Sequence, residues 1–191
     1  MTPTPTLSTA LLGNATLARR ALMVLGGTAL IAIAARASVP MFPVPMTLQT
    51  LAILMVGLTF GARMGAATLL AYLAEGAMGL PVFAGGGAGL AYMMGPTAGF
   101  LLGFVAMAWL AGLAADRGLA KGFVGTAVAA TLASAIIYIP GLAWPAAMMG
   151  KSIPDLLSGW MMPFLVGDVV KALIAALIVS GTWAALKARK A

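Results

Sequence analysis

Long apolar runs alternate along this chain with breaks that are either short and polar or rich in proline and glycine. A helix needs about 20 mostly apolar residues to cross the hydrocarbon core of a bilayer. The apolar runs predict six helices, over residues 21–37, 48–62, 65–80, 97–115, 122–139 and 160–186. We therefore predict an all-α integral membrane protein, a bundle of six transmembrane helices over residues 21–187. It is preceded by an N-terminal tail over 1–20 and followed by a basic C-terminus over 188–191.

Three of the breaks are longer than a turn, and each follows an odd-numbered predicted helix. Residues 38–47 contain three prolines, which disfavour helix and predict an extended loop. Residues 82–96 contain five glycines and are predicted as a loop against the bundle, where bare backbone can approach a ligand. Residues 140–159 are predicted as a third loop. The three loops then share one side of the membrane, where we expect a ligand to enter.

The positions of arginine and lysine predict the orientation of the bundle. With both termini in the cytoplasm, that side holds eight basic residues and the other side holds two, Arg36 and Lys151. Cytoplasmic loops carry an excess of arginine and lysine, so both termini are predicted to be cytoplasmic. The eight residues are Arg19, Arg20, Arg63, Arg117, Lys121, Lys187, Arg189 and Lys190.

The amino-acid composition is that of a protein surrounded by lipid, and it argues against several classes of function. Of the 191 residues 62% are hydrophobic and 8% charged, whereas soluble domains are about a quarter charged. The sequence has no Cys, no His and four carboxylates, which argues against a metal site or hydrolytic catalysis. The net charge of +7 lies in loops between apolar runs, so we expect no binding of nucleic acid. Gly85–Gly87 has neither the Lys-Ser/Thr nor the strand of a phosphate loop, so no nucleotide cofactor is expected.

The last predicted helix contains two opposite charges, Asp168 and Lys171, where each charge costs roughly 2.5–3.5 kcal/mol on insertion scales. At 100° per residue these two residues share a face with Trp160 and Phe164, within about 80° of one another. The ion pair lies about 12–17 Å further along the helix than Trp160. An aromatic wall above a buried donor and acceptor suits a ring with polar edges. The alternative is a structural ion pair that fixes this helix to a neighbour.

The remaining candidate site residues each have two interpretations. Gln49 either offers its amide to a ligand or caps the second helix. Glu75 either lines the cavity or pairs with Arg36. Aromatic residues at a membrane interface are common for other reasons, so contact with a ligand is one of two roles for Phe83, Tyr92 and Trp144.

Four motifs in order resemble the BioY family, the biotin-specific substrate-capture (S) components of energy-coupling-factor (ECF) transporters. The motifs are VPMTLQT over residues 44–50, GLPVFAG over 79–85, GPTAGF over 95–100 and GDVVK over 167–171. The resemblance covers nearly the whole chain after residue 20. It implies six helices, cytoplasmic termini and a biotin pocket beneath the loops that follow the first, third and fifth helices.

The resemblance also implies roles and partners. Asp168 and Lys171 match the Asp-x-x-Lys pair that contacts the ligand in the family. A carboxylate and an ammonium can serve the two N–H donors and the carbonyl of the ureido ring of biotin. Because the chain has no ATP motif, the resemblance implies a transmembrane coupling subunit and cytosolic ATPases as partners, in the cytoplasmic membrane of a prokaryote.

Two other functions remain open at this point. One is a capture subunit for a different vitamin, which competition with biotin would distinguish. The other is an intramembrane enzyme, which the missing His and Cys disfavour. The sequence leaves self-association open.

Overall fold

The computed structural model of the protein describes residues 6–13 and 16–189, and it is mostly helical. Short helix α1 (Leu7–Leu12) precedes α2 (Leu17–Arg36), and two strands, β1 (Ser38–Val39) and β2 (Met46–Thr47), follow. The next four helices are α3 (Gln49–Phe60), α4 (Ala62–Ala77), α5 (Gly89–Met93) and α6 (Ala98–Asp116). The last four are α7 (Phe123–Ala135), α8 (Tyr138–Met149), α9 (Ile153–Leu156) and α10 (Met162–Ala188).

Within the described ranges, four helical stretches have the length and hydropathy needed to cross a membrane. They are Leu17–Arg36, Ala98–Asp116, Phe123–Met149 and Ile153–Ala188. Helix α3 is apolar but shorter. The prediction of a mostly helical protein with several membrane spans is therefore confirmed.

Helix α6 is the central helix of the bundle and packs against α3, α4, α7 and α8. Glycines allow its close contacts, because a Cβ atom at Gly99 would overlap the Pro140 carbonyl and one at Gly103 would press on Ile137. Gly57 of α3 faces the backbone of Ala108 in the same way. Small residues at helix interfaces let backbones approach in a membrane, where the apolar solvent gives little drive to associate.

The N-terminal segment differs from the predicted tail. Thr6 caps α1 and Thr16 caps α2, and Leu7 is buried. Because a threonine cap starts each helix, α1 and α2 both begin before residue 21, where the apolar run of the first predicted helix starts. Residues 1–5, 14 and 15, which belong to the same predicted tail, lie outside the described residues, as do Lys190 and Ala191 at the basic C-terminus.

The first two predicted loops contain short regular elements. The proline-rich loop is a hairpin in which β1 pairs antiparallel with β2, Ser38 opposite Thr47. The glycine-rich loop contains a 3-10 turn, Ala84–Gly86, followed by α5. These two segments face each other above the bundle, where they line a common cavity.

The prediction of a third loop over residues 140–159 is wrong for most of that length, because α8 covers its first half to Met149 and shorter helical turns cover most of the rest. Pro140 lies in the first turn of α8, where a missing N–H costs nothing, and Pro145 lies inside the helix. The prolines therefore did not end the helix as the sequence interpretation assumed. Helix α9 and a π-helical turn, Leu157–Met161, then lead into α10.

Candidate functional site

A chamber of about 60 Å³ lies between α3, α6, α10 and the junction of α7 with α8, beneath the proline hairpin and the glycine-rich loop. Most of its wall is apolar, and its two charged groups and the side chains bonded to them come from α3, α8 and α10. The lining residues are Val44, Pro45, Met46, Thr47, Gln49, Thr50, Ala84, Tyr92, Thr97, Phe100, Leu101, Phe104, Ile137, Tyr138, Phe164, Asp168 and Lys171. An apolar cavity with a few placed polar groups is the usual form of a small-molecule site.

Asp168 and Lys171 form an ion pair at the wall of the chamber, with Lys171 Nζ 3.3 Å from Asp168 Oδ1. Both residues are 7% exposed. Two further side chains hold the pair from other helices. The Tyr138 hydroxyl donates to Asp168 Oδ2 at 2.6 Å, and Lys171 Nζ donates to the Thr50 hydroxyl at 3.0 Å. Tyr138 from α8 and Thr50 from α3 therefore hold the two charged side chains of α10 in one orientation.

The pair retains hydrogen-bonding capacity on the chamber side. An ammonium group has three N–H donors, and the two contacts of Lys171 leave one of them for a further acceptor. A carboxylate accepts about four hydrogen bonds, so Asp168 has room for additional donors. A neutral ligand that offers N–H groups next to a carbonyl would match this arrangement, and its hydrogen bonds would be charge-assisted.

A second polar chain joins the chamber to the glycine-rich loop. The Thr47 hydroxyl donates to the side-chain oxygen Oε1 of Gln49, and the side-chain Nε2 of Gln49 donates to the Tyr72 hydroxyl at 2.7 Å. Tyr72 in turn donates to the Val82 carbonyl, also at 2.7 Å. Gln49 lines the chamber, whereas Tyr72 is fully buried on α4. This chain of three hydrogen bonds ties the hairpin, α3 and α4 to the start of the glycine-rich loop.

Aromatic packing holds the same loop from inside. The Phe83 ring is completely buried, stacks on Tyr92 at a centroid distance of 5.1 Å and meets Tyr72 edge-on at 5.5 Å. Gly76 lies under the Phe83 ring, where a Cβ atom would overlap it. Burial raises the pKa of the Tyr92 hydroxyl, an effect that its hydrogen bond with Thr97 partly offsets, so this hydroxyl stays protonated at neutral pH. The loop thus presents Tyr92 and Ala84 to the chamber.

Five of the nine predicted site residues line the chamber: Gln49, Tyr92, Phe164, Asp168 and Lys171. Gln49 does not cap α3, since its side-chain amide is bonded to Tyr72. The other four predicted residues, Glu75, Phe83, Trp144 and Trp160, are not part of the lining.

The four residues outside the lining have identifiable places. Glu75 is partly exposed on α4 and, within the described part of the chain, forms no ion pair with Arg36, which donates instead to the Pro81 carbonyl at 2.6 Å. Trp144 packs against Gly99 on the α6–α8 contact. Trp160 is buried in the π-helical turn before α10. A π-turn holds more residues per turn than an α-helix and rotates by less than 100° per residue, so the predicted helical stripe does not extend back from Phe164 to Trp160.

Sequence reasoning missed Tyr138 and Thr50, the two residues that hold the ion pair. Tyr138 lay at the end of a predicted helix, and its hydroxyl is 30 positions from Asp168 in the sequence. A buried charge requires partners, so the pair itself predicted that such residues exist. Their identity depends on how α8 and α3 pack, which the sequence pattern did not specify.

Replacement of Tyr72 by Phe is expected to loosen the glycine-rich loop. The change removes the hydroxyl that links Gln49 to Val82. It leaves the buried Gln49 amide and the partly buried Val82 carbonyl without this partner, at a cost of about 1–3 kcal/mol for the buried group. Amide hydrogen exchange should become faster at residues 82–93 and stay unchanged within α6. Unchanged exchange over residues 82–93 would show that the hydroxyl does not hold the loop.

Comparison with known proteins gives one consistent result. The model of the BioY family matches residues 5–188. The probable biotin transporter BioY of Pyrococcus horikoshii is 35% identical over 150 residues, which cover 78% of this chain and 87% of that protein. The biotin transporter BioY of Rhizobium etli is 37% identical over 148 residues, covering 74% of this chain and 79% of the relative.

A solved structure has the same fold. The crystal structure of the S-component for biotin from an ECF-type ABC transporter aligns with a TM-score of 0.76 and 25% sequence identity. The alignment covers 93% of this chain and 96% of the chain in that crystal structure. The arrangement of helices around the chamber is therefore shared with an experimentally determined protein over nearly its whole length.

Proposed function

The chain belongs to the BioY family, and from this premise we propose that it captures biotin for uptake across the membrane. It is a transport subunit rather than an enzyme, since the relatives are transporters and the similar crystal structure is a substrate-binding component. The observation that carries the proposal is the pair of buried, oriented charges at the wall of the chamber.

The chemistry of biotin fits that wall. Its ureido group places two N–H donors beside one carbonyl oxygen, and Asp168 accepts from the N–H edge while Lys171 donates to the carbonyl. Tyr138 and Thr50 hold the two charged groups in position for this contact. The apolar part of the ring system packs against Phe164, Phe100 and Phe104 of the chamber wall.

In the proposed topology, two further helices cross the membrane besides the four long apolar stretches, which gives six spans. Helices α2, α3, α4 and α6 form four of them, α7 with α8 forms the fifth, and α9 with α10 forms the sixth. The excess of arginine and lysine at the chain ends supports cytoplasmic termini in the cytoplasmic membrane. The chamber, the hairpin and the glycine-rich loop then face outward, where an incoming vitamin meets them first.

Partners follow from the class of transporter. The similar S-component belongs to an ECF-type ABC transporter. We extend this to the present chain, which would join a transmembrane coupling subunit and cytosolic ATPases that supply the energy. The exposed apolar side chains of α2 and α10, such as Leu22, Ile33 and Val166, face lipid or these partners.

Equilibrium binding to the purified protein in detergent tests the proposal. Biotin is expected to bind one-to-one and to raise the unfolding temperature, whereas thiamine, riboflavin and folate at the same concentration should do neither. Binding of one of these vitamins with no competition by biotin would assign the chain to another substrate. Absence of binding by all of them would contradict the capture function.

A further inference from the structure

A second cavity, which we call the vestibule, lies above the chamber between the proline hairpin and the glycine-rich loop. It has a volume of about 600 Å³ and is more open than the chamber. Four residues, Pro45, Ala84, Tyr92 and Thr97, line both cavities and form the neck between them. The chamber and the vestibule are therefore adjacent, and the neck residues lie between them.

The two volumes divide a biotin molecule between the cavities. Sites that enclose a drug-sized ligand have volumes of roughly 300–1,000 Å³, so a chamber of about 60 Å³ receives only part of such a molecule. The ion pair at the chamber wall is the partner for the ureido edge of the ring. The valerate tail, which is attached at the other end of the ring system, then passes the neck and ends in the vestibule.

The described residues that line the vestibule are all neutral, and most of them are proline, glycine or alanine. The cation in the lining of the two cavities, Lys171, lies at the chamber and is bonded to Asp168 and Thr50. Arg36 reaches the glycine-rich loop but lines neither cavity and donates to the Pro81 carbonyl. A tail carboxylate in the open vestibule therefore keeps its contact with water, and its charge contributes little to binding.

We propose that the protein recognises the ring of biotin and accepts esters and amides of the tail carboxyl group as ligands. The vestibule is the larger and more open of the two cavities and has space for an added group such as the lysine of a biotinylated protein fragment. The substrate class is then free biotin together with its carboxyl conjugates. This inference rests on the proposed function, because it takes the ring of biotin as the part bound at Asp168 and Lys171.

Competition against labelled biotin separates recognition of the ring from recognition of the tail. Biotin amide, biotin methyl ester and the amide of biotin with lysine are expected to bind within about threefold of biotin. The ring analogue 2-iminobiotin, which places a cationic group where the ureido carbonyl meets Lys171, should bind at least tenfold more weakly. Preference for biotin of tenfold or more over both the amide and the ester would overturn the inference while leaving biotin capture intact. Failure of biotin itself to bind would instead contradict the proposed function.

A matched pair of variants tests whether the tail ends in the vestibule. Ser38 lines the vestibule, whereas its exposed neighbour Val39 lines neither cavity, as expected from the alternation of side chains along a strand. Ser38→Arg supplies a cation and is expected to create a threefold to fivefold preference for biotin over biotin amide, with Val39→Arg as the control. An unchanged ratio in Ser38→Arg would show that the tail carboxyl lies elsewhere and would overturn the assignment.

Discussion

Replacing Asp168 by Asn is expected to lower the affinity for biotin by about tenfold to a hundredfold, and replacing Lys171 by Met should have an effect of similar size. Each change removes a charge-assisted hydrogen bond to the ureido group, which contributes about 1.5–3 kcal/mol. The asparagine side chain would still accept from the Tyr138 hydroxyl but would present a neutral amide to the ligand. Isothermal titration of the purified variants with biotin measures both effects.

The chain supplies matched controls for these two changes. Asp155 and Lys151 are an exposed carboxylate and an exposed ammonium that line neither the chamber nor the vestibule. Asp155→Asn and Lys151→Met should bind biotin within about twofold of the unchanged protein, since exposed charges contribute little at a distance. Normal affinity in both Asp168→Asn and Lys171→Met would defeat the assignment of the site.

Filling the neck is expected to abolish biotin binding. Ala84 lies in the 3-10 turn of the glycine-rich loop and lines both cavities, so an indole ring in place of its methyl group would occupy the passage between them. The chamber of about 60 Å³ has no spare volume to accept the displaced group. For Ala84→Trp we expect biotin affinity to fall by at least a hundredfold, with little change in unfolding temperature, because the new side chain projects into a cavity rather than into packed core.

Leu90→Trp is the control for the neck variant. Leu90 lies on α5 in the same loop, is 66% exposed and lines neither cavity. The Leu90 variant adds an indole to the loop without narrowing the path, and should bind biotin within about threefold of normal. Equal losses in both variants would mean that the loop as a whole, rather than the passage at Ala84, limits binding.

The ion pair could be found from the sequence because its cost in an apolar helix demanded an explanation. Asp168 and Lys171 are three positions apart, so helical geometry alone places them on one face. The same geometry predicts Phe164 on this face, and Phe164 lines the chamber. It also predicted Trp160 on this face, but Trp160 lies outside the lining because the π-turn over Leu157–Met161 changes the angular register. Nothing in the local sequence pattern indicated that turn.

The partners of the pair depend on contacts between distant segments. Thr50 and Lys171 are 121 positions apart, and their hydrogen bond exists because α3 packs beside α10. Tyr138 is the first residue of α8, after a break between α7 and α8 that the prediction did not contain, and from there its hydroxyl reaches Asp168. Proline within a first turn is compatible with helix, so composition alone did not locate this boundary.

The loops could be predicted in kind but not in detail. Their prolines and glycines correctly marked two segments that cover the chamber, 38–47 and 82–96. Tyr72 donates to the Val82 carbonyl at the start of the second segment, and Arg36 donates to the Pro81 carbonyl just before it. The sequence places both donors on helices but does not indicate which carbonyls they contact. Contact with a ligand was one of two roles open for Phe83 in the sequence, and the structure buries its ring as an anchor for the loop.

The central claim is that the buried charges are present for a guest molecule and not for the stability of the bundle. Removing one charge leaves the other buried without its partner, so the double variant Asp168→Asn/Lys171→Met is the cleaner probe. It removes both charges while keeping similar volumes and the hydrogen bond from Tyr138.

The decisive measurement is the unfolding temperature and the biotin affinity of this double variant, made side by side in one detergent. We expect an unfolding temperature equal to or above that of the unchanged protein, together with a loss of biotin affinity of at least a hundredfold. A variant that unfolds at a much lower temperature but whose folded fraction still binds biotin normally would identify Asp168 and Lys171 as a structural pair and contradict the account.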